Sequence, residues 1–530
     1  MAHRTPEPGV SACKSVGVSV LALSAGLAAL PSAAHAQAFA NRESAAVDYA
    51  AAEQTPARPC ADLDGLALDG LVRITAAPIA GASPAHCNVT GVLAPEIAFE
   101  VALPDSWNGR FYMVGNGGLA GDALDNPGRV AQRDEALRLG FAFAQTNTGH
   151  YSAEEPGGTF VLSNPQKAID YAWRAVHETA AAAKTIAADY YGEPVSYAYW
   201  NSCSNGGRQG LLEAQRFPDD FDGVVANAPW ANQTGFTLGA IWNQQAMTRA
   251  PLTPGKVELV AAQVMAKCDA VDGLEDGLID DPRACDFDAT RDVPACTADE
   301  DADSCLTPDQ ALAVADIHRG PQSNGESIMT GFLPGSEVAW MGMVVPPEPG
   351  AQTADFGLAD NIMKYLVFDP PRPDWDYRTF DFDEDADVVE AWGEQANATD
   401  PDLTEFRDGG GKLIMTYGWA DQILQPLMGV EYYEDVVAEM GPDTAEFARL
   451  FMIPGMTHCA GGYGPDRHDP MTAIIDWVEA GVAPDTMLAS RVTPDGEVTR
   501  TRPLCPYPQV AAYDGDGSID AAENFACAAP

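Results

Sequence analysis

The stretch "VSYAYWNSCSNGGRQGLLEAQRFP", Val195 to Pro218, decides how the rest of the chain is read. It opens on Val195–Trp200, an apolar and aromatic run that reads as a strand. A helical pattern follows from about Gly206 to Gln215, and Cys203-Ser204-Asn205 stands between the two. In a G-x-S-x-G elbow, small flanking residues let a strained turn push the serine outward between strand and helix. Gly206 fills the small position after Ser204, while Ser202 replaces the glycine before it. Serine is small enough for such a turn. On this stretch alone, an ordinary glycine-rich turn reads equally well.

Outward from the turn, strands and helices alternate. Residues 97–104, 109–118, 141–147, 223–229, 412–418 and 449–455 read as short apolar strands. Asn164-Pro165 caps a helix that runs through Ala-rich sequence to Tyr191, where Gly192 stops it. This alternation predicts an α/β protein with a mostly parallel sheet covered on both faces. Between 230 and 395 the pattern changes. That stretch holds four cysteines, the acidic run "TADEDADSC" (297–305) and few strand-like runs, so it reads as a domain inserted between two sheet strands.

A serine hydroxyl becomes a nucleophile only when a base takes its proton. His3 and His35 fall in an N-terminal leader, which leaves His86, His150, His177, His318, His458 and His468. His177 sits within a helix, His318 within the insert, His86 in a cysteine-bearing loop and His468 in a Pro-rich loop. His150 could line a site but precedes the serine. His458 follows the late strand "RLFMIPG", and Asp421 follows the earlier strand "LIMTYG". The order Ser204, Asp421, His458 is that of α/β-hydrolases. The amide of Asn205, the residue after the serine, is one expected oxyanion donor. A second is expected from the early loop "VGNGG" (114–118), with Gly117 as the choice.

Eleven cysteines are present, and ten remain once Cys13 leaves with the leader. An even number in an exported chain reads as disulfides. Neighbours along the sequence suggest Cys60–Cys87, Cys268–Cys285, Cys296–Cys305 and Cys505–Cys527, which leaves Cys203 and Cys459; spacing alone does not fix this connectivity. Cys203 directly precedes the serine and Cys459 directly follows the histidine, so a working triad would bring the two close enough for a bridge to be considered.

With "CSNGGRQG", "QRFPDDFDGVVANAP", "GWAD" and "HCAGG" in hand, the sequence resembles the tannase and feruloyl esterase family over most of its length after the leader. The resemblance implies an α/β-hydrolase fold with a large inserted lid domain: a catalytic domain from 37–229 and 396–530, and a lid over 230–395. It implies Ser204, Asp421 and His458 as triad and Cys203–Cys459 as the disulfide linking them. It also implies hydrolysis of aromatic acid esters, feruloyl or galloyl, through an acyl-enzyme, with phthalate-type monoesters as an alternative substrate class. A noncatalytic secreted binding protein of the same fold and a peptidase are the competing readings. Aromatics of the insert, Trp340, Tyr365, Phe368, Trp375 and Phe380, are candidates to stack on a substrate ring. Such chemistry needs no organic cofactor.

The stretch "CDAVDGLEDGLIDDPRAC" (268–285) raises a separate possibility. Asp269, Asp272 and Asp276, with the carbonyls of Leu274 and Leu278, would supply most of the hard oxygens that calcium wants. In so acidic a chain an Asp cluster also arises by chance. The family resemblance implies a structural lid calcium at this pattern. The later loop "DGDGSIDAAE" (514–523) has Ala512 where an EF-hand needs its first Asp, and reads as a solvated turn.

The formal charge is 30 − 77 = −47, which repels phosphate backbones and disfavours nucleic acid and anionic membranes as partners. Residues 1–36 show the order of a secretory signal peptide: Arg4 and Lys14, an apolar run Val16–Leu30, then small residues before a cut after Ala36. The run is about 15 residues, short of the roughly 20 of a membrane span. The expected location is secreted or periplasmic, with no membrane anchor after cleavage.

Overall fold

In the computed structural model, Met1 and residues 38–530 are described, except 53, 82, 83, 298–300 and 349. The expected signal peptide therefore lies, Met1 aside, outside the described residues. The described residues from 38 onward form one compact unit.

Its centre is a nine-stranded sheet. The strands are β1 (Leu71–Ile79), β2 (His86–Leu93), β3 (Ile97–Pro104), β4 (Arg110–Met113), β5 (Ala142–Thr146), β6 (Tyr197–Cys203), β7 (Gly223–Asn227), β8 (Lys412–Gly418) and β9 (Ala448–Ile453). They lie in the order β1-β2-β3-β5-β4-β6-β7-β8-β9. From β5 to β9 every neighbouring pair is parallel, while β1, β2, β3 and β5 pair antiparallel. The central strands are buried along their length, as expected of a sheet covered on both faces.

Helices cover the sheet: α1 (Pro127–Arg138), α2 (Ala175–Tyr191), α3 (Asn205–Arg216) and, after an insert that carries α4 (Gln233–Arg249), α5 (Pro254–Cys268), α6 (Pro308–Arg319), α7 (Ala354–Ile362) and α8 (Glu390–Ala396), α9 (Leu427–Met440) and α10 (Pro470–Ala480). One apolar cluster joins Trp200, Leu211, Ile186 and Tyr417 on one face. Another joins Tyr112, Phe141, Ile474 and Trp477 on the other. Two sequence expectations are corrected here. The helix read as continuous to Tyr191 is interrupted by a π turn at Asp170–Arg174. The antiparallel hairpin β1–β2 was not foreseen: β1 is largely exposed and carries Pro78, so it shows no clean alternation.

The chain leaves the sheet after β7 and returns at β8. In between lie α4, α5 (Pro254–Cys268), α6 (Pro308–Arg319), α7 (Ala354–Ile362) and α8 (Glu390–Ala396), with strands of only two residues. Part of this insert has a core of its own, built on Val260, Val264, Val314 and Trp340. Other parts, including Phe356 and Trp392, join the core beside the sheet. Trp340 is fully buried and donates its indole N–H to Ser336 Oγ, so it packs the insert and has no face for a substrate. Among the described residues five disulfides are formed: Cys60–Cys87, Cys203–Cys459, Cys268–Cys285, Cys296–Cys305 and Cys505–Cys527.

Candidate active site

Strand β6 ends at Cys203 and α3 begins at Asn205, so Ser204 is the single residue between them. Its backbone sits at φ 65°, ψ −126°. A non-glycine residue there is strained and persists only when its surroundings hold it. Those surroundings are visible. The Ser204 amide donates to Asn227 O at 3.0 Å, and the Trp230 amide donates to Ser204 O at 3.0 Å, which pins the turn to the end of β7. Glycine is required at 206 because of the serine at 202: a Cβ on Gly206 would lie 2.0 Å from Ser202 Oγ. A Cβ on Gly207 would lie 2.7 Å from Asn227 O.

Asp421 follows β8 and is fully buried. Its Oδ1 accepts from the amides of Ile423 and Leu424, both at 2.9 Å, and its Oδ2 meets His458 Nδ1 at 2.8 Å. Both carboxylate oxygens are thus committed, and the imidazole is held by one nitrogen with Nε2 left over. The His458 amide donates to Gln422 Oε1 at 3.1 Å, a support the sequence reading missed although Gln422 directly follows Asp421. The Cys203–Cys459 bridge, with Cα atoms 6.0 Å apart, joins the neighbour of Ser204 to the neighbour of His458. Cys459 also has positive φ, 63°, so each end of the bridge adjoins or occupies a strained residue. The two sulfurs and a His458 ring nitrogen lie within 4.8 Å of one another.

Three other histidines are engaged elsewhere. His177 Nδ1 lies 2.6 Å from Asp220 Oδ2, and the ring stacks on Phe217. His318 meets Phe332 O and Glu337, and His86 meets Pro84 O. His150 and His468 are buried, and burial pulls both down to a pKa of about 4.

The loop after β4 packs on the start of α3. Asn116 N donates to Gln209 Oε1 at 2.9 Å, and a Cβ on Gly115 would stand 2.7 Å from Gly206 Cα. Gly117 is exposed on this loop, and Gly118 next to it has φ 47°. A loop whose Gly117 and Gly118 amides meet no acceptor among the described residues thus lies against the turn that presents Ser204.

The acidic loop is built differently. Asp269 Oδ1 accepts from the amides of Asp276 (3.2 Å) and Gly277 (2.9 Å). Asp272 Oδ1 accepts from Leu274 N at 2.8 Å, and Asp276 Oδ1 accepts from Leu278 N at 3.0 Å. Gly273 and Gly277, at φ 94° and 77°, allow the tight path that these bonds close. Asp276 Oδ2 also takes Arg502, a partner the sequence reading did not foresee. Asp280 was overlooked as well. Burial, then the charge of Asp272, with a further push from Asp276, raises its carboxyl to about 7, and burial raises Asp272 too. The three loop aspartates do not converge as one ligand cluster among the described residues; they are turned to backbone amides and to Arg502. The donor set, all hard oxygen with crowded negative charge, suits calcium, and no imidazole or free thiol belongs to it.

A strained serine between a parallel strand and a helix, with an Asp–His pair on loops leaving later strands of the same sheet, defines an α/β-hydrolase. The model of the tannase and feruloyl esterase family matches residues 82–528. The chain belongs to this family and is a carboxylic ester hydrolase. It is similar to the mono(2-hydroxyethyl) terephthalate hydrolase of Piscinibacter sakaiensis, 35% identical over 520 residues that cover 85% of this chain and 86% of the relative. A probable feruloyl esterase B-1 of Aspergillus terreus is 32% identical over 452 residues, 80% of this chain and 82% of its own. Among solved structures, feruloyl esterase B from Aspergillus oryzae superposes with a TM-score of 0.77 at 28% identity, covering 88% of this chain and 99% of the other.

Proposed function

We propose that this protein is an exported serine esterase that cleaves esters of aromatic carboxylic acids through an acyl-enzyme on Ser204. The observation that carries the reading is the joining of Ser204's neighbour to His458's neighbour by a disulfide, with His458 Nδ1 2.8 Å from Asp421. His458 takes the Ser204 proton as Oγ attacks the ester carbonyl. Asp421 holds the Nδ1–H tautomer and stabilises the imidazolium. The oxyanion is met by the Asn205 amide at the start of α3 and by an amide of the 117–118 loop, Gly117 first. As the tetrahedral intermediate collapses, His458 returns the proton to the leaving alcohol. A water, deprotonated by the same histidine, then releases the acid.

Two acyl classes are supported by relatives: feruloyl esters by the feruloyl esterases, and terephthalate monoesters by the Piscinibacter enzyme, whose identity to this chain is the higher. Hydrolysis of methyl ferulate, methyl gallate, chlorogenate and mono(2-hydroxyethyl) terephthalate, compared by kcat/KM, separates them. Turnover of none of the four, with amide substrates cleaved, would sink the ester reading. Five disulfides, and no helix among the described residues long and apolar enough to cross a membrane, accord with export.

Calcium belongs to the same proposal as a structural ion of the insert. Asp269, Asp272 and Asp276, with the carbonyls of Leu274 and Leu278, would hold it, and its charge would offset the repulsion gathered around Asp272 and Asp280. It takes no part in the acyl transfer. Metal analysis of the purified protein and of Asp272→Ala tests this: about one calcium in the first and none in the second supports it, and none in either removes it.

A further inference from the structure

The helical stretch that leads into α2 is irregular at one place. At Asp170–Arg174 it widens into a π turn, closed by the Ala175 amide on Asp170 O. Single π turns inside α-helices recur at functional sites. This one faces the nucleophile helix. Arg208, one turn into α3 and fully buried, donates from Nη1 to Ala172 O at 2.9 Å and from Nη2 to Tyr171 O at 3.4 Å. Its Nη1 also reaches Ala396 O of α8 at 2.8 Å, and its Nε reaches Asn205 Oδ1 at 2.8 Å. All four partners are neutral oxygens. The guanidinium completes its surroundings by lying over the Tyr171 ring, 5.3 Å from the centroid.

The Tyr171 hydroxyl is a second junction. Burial raises its pKa, so it stays a protonated donor. It accepts from Gln233 Nε2 at 2.9 Å and donates to Gly118 O at 3.1 Å, with Asn205 Oδ1 at 3.5 Å. Gln233 Oε1 in turn accepts from Trp392 Nε1 at 2.8 Å. One continuous polar network therefore runs from insert helices α4 and α8 to the Gly118 loop and to the residue after Ser204.

We propose that Tyr171 and Arg208 are positioning residues for the oxyanion-binding amides: they fix Asn205 and the 117–118 loop relative to Ser204 and tie both to the insert. The inference rests on the acyl-enzyme reading above. Its physical basis is that donors stabilise the oxyanion only when preorganised at the place where charge develops. A buried guanidinium whose partners are all neutral also favours negative charge at the adjacent turn.

The test measures kcat, KM and thermal midpoint with p-nitrophenyl butyrate for wild type, Tyr171→Phe, Arg208→Lys, Arg208→Met and Ser204→Ala. Tyr171→Phe deletes one hydroxyl and keeps the ring. It should lower kcat about tenfold with KM within about twofold, because a displaced oxyanion donor weakens the transition state more than the ground state. Its thermal midpoint should stay close to wild type. Arg208→Lys, which keeps charge without the fork, should recover part of the kcat lost in Arg208→Met. If Arg208→Met does not fold, Tyr171→Phe decides alone. A folded Tyr171→Phe with wild-type kcat, or with only KM raised, overturns the proposal. Ser204→Ala distinguishes the two levels. If it is inactive while Tyr171→Phe is unaffected, only the positioning role fails; if it retains activity, the acyl-enzyme reading fails as well.

Discussion

Two disulfide-closed regions of this molecule invite comparison. Cys203–Cys459 spans 256 positions of sequence, and Cys268–Cys285 spans 17. The long bridge joins the end of β6 to the loop after β9, two strands of the parallel part of the sheet. Near it, Asp421 has partners on both oxygens, and the turn at Ser204 is hydrogen-bonded to β7 and to Trp230. The short bridge shapes a loop whose carboxylates crowd one another, with Asp280 raised to about 7 and arginine drawn onto Asp276. The first region ties together elements that are distant in the sequence. The second gathers an excess of negative charge, with its aspartates turned to backbone amides and to Arg502.

The comparison can be broken at its strongest point first. Asp421→Asn leaves the shape of the site but supplies the wrong hydrogen-bond partner for the imidazole. It should lower kcat by about 10⁴-fold with the fold retained, and steady-state kinetics beside circular dichroism would check this. A fall of less than tenfold would remove Asp421 from the triad.

Next in size is the bridge itself. Replacing Cys203 and Cys459 together with alanine should cost about 5 kcal/mol in the chain-entropy model for so long a loop, less any strain relieved. Denaturant titration of the double variant measures the loss. Because the bridge joins the neighbours of Ser204 and His458, kcat should fall even where the variant is folded. The corresponding change at Cys268 and Cys285 opens a much shorter loop, worth about 3 kcal/mol on the same model, and should leave kcat nearly unchanged in the folded fraction. Equal effects of the two double variants on kcat would erase the distinction drawn here.

Calcium removal sharpens the second half of the comparison. A chelator should lower the thermal midpoint of wild type and leave that of Asp272→Ala where it was, since binding to the folded state alone stabilises by mass action. No shift in wild type would count against the ion.

The smallest expected effect is in pH. His150 and His468 are buried, with pKa values of about 4 in the folded chain. Unfolded, both take a proton near 6.5. Between those values the unfolded state binds more protons, so their stabilising contribution is present above pH 6.5 and is lost as pH falls toward 4. Asp355, raised to about 7 by burial, acts in the opposite sense over the same window. The readout is therefore a difference: denaturant midpoints at pH 7 and pH 4.5 should separate less in His468→Gln than in wild type.

Much of the fold was legible because a parallel sheet buried on both faces writes continuous apolar runs; residues 412–418 coincide with β8 and residues 97–104 with β3. The Asp421–His458 contact and the Cys203–Cys459 bridge were legible because chain order and the flanking cysteines are written in the sequence. What stayed hidden depends on distant contacts. The π turn at Asp170–Arg174 breaks no helix propensity, since its Tyr, Ala, Trp and Arg suit an α-helix equally well; only Arg208, drawing on Tyr171 O and Ala172 O, reveals it. Arg502 and Asp276 are separated by 226 positions, and no local pattern announces their pairing. The burial of Trp340 follows from insert packing that residue type alone does not disclose.

The central claim is that Ser204, set beside His458 by the Cys203–Cys459 bridge, is the nucleophile. A fluorophosphonate probe followed by peptide mapping under nonreducing conditions tests both parts at once. The account predicts a single label on Ser204, a peptide containing Cys203 joined to one containing Cys459, and neither label nor ester hydrolysis in Ser204→Ala. A label on another residue, or hydrolysis surviving in Ser204→Ala, would contradict it.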